Sequence, residues 1–208
     1  MKRMITGLKV KNFRALYDIE MKVIPPVVAL IGRNGVGKTT LLNVFSIIND
    51  LIHFGGKNLA RNPRFSPYTY TTAGHEKEPT IFEFRRGGKT CKIVTTYEDG
   101  ESLIEESGER DKVVSPMRIL EDPSCGLYPA DLGKMIEGYH KKVENDVQTI
   151  FSTYSPTLLN CMEPHEVFYL KKVNGLTEIK CLQDDEKIME NYNDGDSLGY
   201  LWKEGLLE

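Results

Sequence analysis

The chain has 208 residues and a mass of 23.6 kDa, enough for one α/β domain with a substantial core and too few for two of ordinary size. Its 27 Lys+Arg against 30 Asp+Glu leave a formal charge of −3, which excludes a general basic field for nucleic acid but leaves room for a local patch. Cys91, Cys125, Cys161 and Cys181 lack C-x-x-C spacing and read as reduced core thiols rather than a zinc site or disulfide framework, and no long apolar stretch suggests a signal peptide or membrane span, so a cytoplasmic, soluble chain is expected.

Alternation over Ile5 to Phe13 and again over Ile19 to Ile24 predicts two antiparallel strands. The unbroken apolar run Val27 to Ile31, after Pro25-Pro26, predicts a buried parallel strand. It runs into Gly32-Arg33-Asn34-Gly35-Val36-Gly37-Lys38-Thr39-Thr40, a Walker A phosphate loop, and then into an amphipathic helix over Leu41 to Ile52. A phosphate chain must lie against backbone N–H groups at a helix N-terminus, and side chains at Gly32, Gly35 or Gly37 would obstruct it. Lys38 is expected to reach the β and γ phosphates and the Thr39 hydroxyl to ligate Mg²⁺, so the loop predicts ATP·Mg²⁺ binding. A chance glycine turn is the weaker reading, because spacing, strand and helix all agree.

Residues 55 to 78 lack periodicity and read as a long surface loop. Arg61 and Arg64 beside Phe65, Tyr68 and Tyr70 are compatible with single-stranded nucleic acid, although rings folded back onto the domain are the simpler reading. Thr80 to Arg85, Cys91 to Tyr97 and Glu101 to Ile104 predict an antiparallel meander, followed by a charged connector from Glu105 to Lys112. Met117 to Asp122 is a strand ending in two acids. In the helix that follows, Leu132, Met135, Ile136, Tyr139 and Val143 share one face. Val147 to Ser152 is a further buried strand, and Pro156 opens a short helix. Strand, helix and strand around a phosphate loop imply parallel pairing. A hairpin (Val167 to Lys172, Leu176 to Cys181, turning at Asn174-Gly175), an acidic helix near Asp185 to Tyr192 and a segment packing Leu198, Leu201 and Trp202 are expected to close the core.

Taken with the Walker A loop, four further segments carry a family resemblance: Asn12-Phe13-Arg14, Glu121-Asp122-Pro123 through Leu127-Tyr128-Pro129, Ser152-Thr153-Tyr154-Ser155-Pro156, and Leu198-Gly199-Tyr200-Leu201-Trp202. Together they resemble the ABC-type P-loop ATPases of the RecF, SMC and OLD kind, including the subgroup called AAA family ATPases. The likeness covers roughly residues 1 to 52 and 117 to 208. It implies an α/β P-loop NTPase with a mainly parallel central sheet, an antiparallel β meander and helices packed on the sheet. One ATPase domain over residues 1–208 is expected, in three parts: 1–54, 55–116 and 117–208.

The resemblance implies that Glu121 holds Mg²⁺ through water and that Asp122 polarises the attacking water, with the alternative that both acids merely face solvent. The acids stand in the reverse of the family's Asp-then-Glu order. Losing one methylene withdraws the base by about 1.5 Å, and misplacement near 1 Å can cost on the order of 100-fold in rate, so slow hydrolysis is implied. Tyr154 occupies the position of the family's switch histidine; a phenol donates one hydrogen bond but never becomes cationic. The competing reading, that Tyr154 caps a sheet edge, stays open. The family's Ser-Gly-rich signature is represented by nothing better than Ser107-Gly108-Glu109-Arg110, a chance match in a charged connector, and its glutamine has no counterpart, since Gln148 and Gln183 both follow the acidic strand. The implied activity is a slow Mg²⁺-dependent ATPase whose nucleotide state switches contacts with a partner protein or a second copy. The alternatives are a nucleotide-binding scaffold with little turnover and a DNA-repair or phage-defence module.

Overall fold

The computed structural model describes residues 4–54, 71–98, 101–107 and 116–207. The chain opens with a hairpin of β1 (Ile5–Phe13) and β2 (Leu16–Met21), in which Phe13 pairs directly with Leu16. Asn12 and Arg14 take φ of 52° and 53°, the left-handed turn that so short a connection requires. The second strand therefore starts and ends earlier than the Ile19 to Ile24 alternation suggests. Leu16 is already fully buried there, and after Met21 the chain returns to β1 through Ile24 N–H, which donates to Thr6 O at 3.1 Å.

β4 (Thr80–Arg86), β5 (Lys89–Glu98) and β6 (Glu101–Ser107) complete an antiparallel sheet in the order β2-β1-β4-β5-β6, the expected meander added to the edge of β1. β6 runs on to Ser107, which pairs with Lys92, so the first residues of the expected connector are strand. An edge strand draws its ladder from one neighbour only and accepts a charged sequence.

The second sheet has the order β10-β9-β3-β8-β7, from β3 (Val27–Ile31), β7 (Met117–Glu121), β8 (Gln148–Ser152), β9 (Val167–Val173) and β10 (Leu176–Cys181). β9, β3, β8 and β7 are mutually parallel and β10 pairs antiparallel with β9. The helices are α1 (Lys38–Phe54), α2 (Pro129–Val143), α3 (Pro156–Leu159), α4 (Glu186–Asn193) and α5 (Leu198–Lys203).

β3 shows why its sequence is apolar throughout. Val28 and Leu30 face a cluster with Leu41, Phe45 and Ile48 of α1 and Val10, Phe13 and Phe82 of the antiparallel sheet. Val27, Ala29 and Ile31 face the opposite cluster, with Leu132 and Ile136 of α2, Leu158, Leu198 and Leu201. A strand covered on both faces has no polar side to alternate with. Gln148 joins the two sheets: its Oε1 accepts from Ile5 N–H at 3.0 Å, while Nε2 donates to Ile5 O at 2.9 Å and Pro25 O at 3.2 Å.

Two expectations need correction. Only Cys91 is a core thiol; Cys125 is exposed, and Cys161 and Cys181 are half-buried, with burial pushing both thiols up and away from reactivity. The expected surface loop is not free at its end. Asn12 is buried, donates to His75 O at 3.0 Å and Glu78 O at 2.7 Å, and accepts from Thr72 N–H at 2.9 Å, pinning this segment to β1. Arg61, Arg64, Phe65, Tyr68 and Tyr70 lie outside the described residues, as do Gly108, Glu109 and Arg110.

Candidate nucleotide site

Three adjacent parallel strands, β3, β8 and β7, release at their C-terminal ends the three segments that the sequence singles out. From β3 comes the glycine loop, from β8 Thr153-Tyr154, and from the Glu121 end of β7 Asp122. Crevices at the carboxyl ends of such strands are the ordinary ligand position of open α/β sheets.

The loop is held from behind as well as shaped for what lies in front. Gly32 takes φ +142°, and a Cβ there would stand 2.2 Å from Leu170 O of β9. Gly37 takes φ +109°, and a Cβ there would stand 2.7 Å from Thr177 Oγ1 of β10. Both glycines are thus required by the neighbouring strands alone. The buried Thr177 hydroxyl donates to Val36 O at 2.7 Å, and Thr177 N–H donates to Ala15 O at 2.9 Å, so one threonine ties the loop to the turn before β2. The sequence marks the last hairpin only as closing the core, and nothing in the local pattern of Thr177 signals a partner 141 residues away.

α1 begins at Lys38 itself, so its unpaired N–H groups open directly onto the loop. Lys38 is almost fully buried and donates to Gly32 O at 2.7 Å and Arg33 O at 2.8 Å. Its ammonium also sits 4.1 Å from the centroid of the Tyr154 ring. Arg33, Asn34, Gly35 and Thr39 are exposed, Thr40 is half-buried and Val36 is buried with its side chain in the core.

Tyr154 does not cap a sheet edge. It follows β8, which lies between β3 and β7, and the residue is 44% exposed with its ring over the lysine. Its backbone oxygen accepts from Trp202 Nε1 at 3.4 Å, bringing α5 up to the switch segment.

The acids divide. Glu121 is exposed, the last residue of β7, paired with Ser152. Asp122 is half-buried and leaves the strand at φ 38°, a left-handed conformation that aspartate tolerates better than most side chains. Its N–H donates to Ser152 O at 2.9 Å and its carbonyl accepts from Cys125 N–H at 3.1 Å, closing the turn toward α2. Asp122 Oδ1 accepts from Ser124 Oγ at 2.6 Å and from Thr153 Oγ1 at 3.2 Å. The carboxylate is therefore anchored within the protein rather than waving in solvent. Asp122 is legible in the sequence; the two hydroxyls that hold it are not.

The AAA ATPase domain profile matches residues 4–115. No curated protein matches the chain. Among solved structures, the SMC head domain from Thermotoga maritima aligns with a TM-score of 0.54 at 12% identity, over 85% of this chain and 98% of that one. An SMC head bound to the C-winged helix domain of ScpA aligns with a TM-score of 0.55 at 9% identity, over 89% of this chain and 99% of the other. A structure of the recombination mediator protein RecF aligns with a TM-score of 0.37 at 21% identity, covering 62% of this chain and 33% of RecF. The P-loop NTPase fold is what the SMC heads share with this chain.

Proposed function

Because the chain belongs to the AAA ATPase domain family, a family of nucleotide-binding P-loop proteins, we propose that it is a slow ATPase whose nucleotide state changes its contacts with a partner or a second copy. The observation that carries this reading is the convergence of Lys38, Tyr154 and the anchored Asp122 at the ends of three neighbouring parallel strands. A phosphate loop alone needs no acid beside it; a hydrolase does.

In this reading residues Gly32 to Thr40 cradle the phosphates, with Lys38 moving from its two carbonyls toward the β and γ groups. Thr39, exposed in the first turn of α1, and Glu121, exposed at the end of β7, offer the hydroxyl and carboxylate oxygens that a hard dication takes. Mg²⁺ held there supplies charge neutralisation on the β and γ phosphates. Asp122 orients the attacking water and accepts its proton, and Tyr154 offers a neutral donor where its relatives carry histidine. The whole of residues 1–208 serves as one such domain.

Leu127, Tyr128 and Tyr154 are exposed at this same end of the sheet, which suits a nucleotide-dependent contact there. The resemblance to an SMC head bound to a ScpA domain supports a protein partner by analogy. The DNA reading rests on family analogy, and Arg61 and Arg64, whose replacement would test it, lie outside the described residues.

The test is phosphate release at saturating ATP and Mg²⁺. Turnover is expected in the parent protein and absent in both Lys38→Ala and Asp122→Asn, with Asp122→Asn still binding ATP. Tight ATP binding by the parent with no phosphate release overturns the enzyme and leaves the nucleotide-binding scaffold.

A further inference from the structure

Thr153 stands one residue before Tyr154 and, besides its bond to Asp122, ties together the phosphate-loop strand and the segment after β8. It is fully buried and fixed by its backbone, whose N–H donates to Leu30 O of the phosphate-loop strand at 3.1 Å. Its hydroxyl works in both directions. It donates to Asp122 Oδ1 at 3.2 Å and accepts from Ser155 N–H at 3.1 Å. The acceptor bond fixes the direction of the donor bond, so the chain runs one way: Ser155 N–H to Thr153 O–H to the Asp122 carboxylate. Tyr154 lies between the two ends of this relay, with its ring over the Lys38 ammonium at 4.1 Å.

We propose that Thr153 is the positioning residue of the site, holding the Asp122 carboxylate in register with the phosphate loop and coupling it to the Tyr154 switch. This rests on the ATPase reading above and adds to it the means by which the shortened acid is aimed. Both hydroxyls, of Ser124 and Thr153, fall on Oδ1, which assigns Oδ2 to the water. The left-handed turn at Asp122 (φ 38°) sets where the side chain starts, and the Thr153 hydroxyl, anchored to β3, sets where the carboxylate ends. Moving either would move the other through the relay.

The chemistry demands a hydroxyl at this position. Valine has the shape of threonine but neither donates nor accepts, whereas serine keeps both bonds and loses only a methyl. Thr153→Val is therefore expected to lower kcat about 100-fold, the scale of a misplacement near 1 Å, with KM for ATP and ATP affinity unchanged. Thr153→Ser is expected to restore turnover to within about threefold of the parent. A merely structural threonine predicts instead that both variants lose thermal stability together and that kcat follows the folded fraction.

A second arm does not depend on turnover. In the parent background, Asp122→Ala is expected to shift the Ser155 amide resonance, because the relay loses its acceptor. In the Thr153→Val background the same change leaves that resonance in place. Parent-like kcat in Thr153→Val, kcat as low in Thr153→Ser as in Thr153→Val, or an Asp122→Ala shift at Ser155 that persists without the hydroxyl overturns the proposal. Absence of Lys38-dependent turnover in the parent overturns the ATPase reading instead, and the amide shifts still decide whether Thr153 couples acid and switch.

Discussion

The phosphate loop and the acid–switch pair lie side by side at one end of the same sheet, yet they are built in opposite ways. Gly32 to Thr39 is continuous in the chain between its own strand and helix, with β9 and β10 pressed against it at Gly32 and Gly37. Asp122 and Thr153 are 31 residues apart, and the site exists only because β7 and β8 pair in parallel with Glu121 opposite Ser152. A contiguous motif tolerates little variation inside itself but is indifferent to much of the rest. An assembled site depends instead on the neighbours that hold its residues, as Ser124 and Thr153 hold Asp122 here.

The largest effect is expected inside the loop and separates its glycines. Gly32→Ala puts a Cβ 2.2 Å from a backbone oxygen that cannot move aside, and should destabilise the protein by about 4 kcal/mol or more. Gly35→Ala meets no atom within 4 Å and carries only the strain of φ +75°, about 1 kcal/mol. Denaturant midpoints check the difference; equal losses would mean that the loop is not pressed against β9.

The assembled site is probed by Asp122→Glu. This change gives back the side-chain length of the family's base but forfeits the fit to Ser124 and Thr153 at a left-handed turn. Turnover is expected to fall by about tenfold. A rise in phosphate release would show that reach, not anchoring, limits the reaction, and that the acid obeys the sequence rule after all.

The smallest effect tests how independent the loop is. Thr177→Val removes the hydroxyl that donates to Val36 O at 2.7 Å and leaves a buried carbonyl unpaired, at a cost of about 1 to 2 kcal/mol. Thermal unfolding reads this directly. No loss would return the loop to full self-sufficiency and widen its contrast with the acid.

Much of the architecture was legible because it repeats a local period or a local motif. The apolar run of β3, the helical spacing of Leu132, Ile136 and Tyr139, the Asn174-Gly175 turn and the Walker A spacing each depend on residues close together in the chain. Where local signals compete, boundaries slipped: the charged sequence at Glu105 to Ser107 concealed an edge strand, and the alternation from Ile19 concealed a hairpin turn at Arg14-Ala15. Asn12, legible as a polar position of the first strand and as part of a family motif, pins the segment from Thr72 to Glu78 through side-chain bonds spanning 60 to 66 residues, which no local pattern encodes.

The sequence by itself determined that a phosphate loop lies between a buried strand and a helix, because strand, loop and helix geometry follow from neighbouring residues and from backbone N–H groups that must be paired or aimed at an anion. Only the tertiary structure decided what stands around that loop. It placed Tyr154 over Lys38 instead of at a sheet edge, set Thr177 behind the loop, and gave the Asp122 carboxylate two hydroxyl anchors. The reason is physical: a hydrogen bond across parallel strands depends on their order and register, and these are fixed by burying both faces of the sheet at once, a property of the whole core and not of any stretch within it.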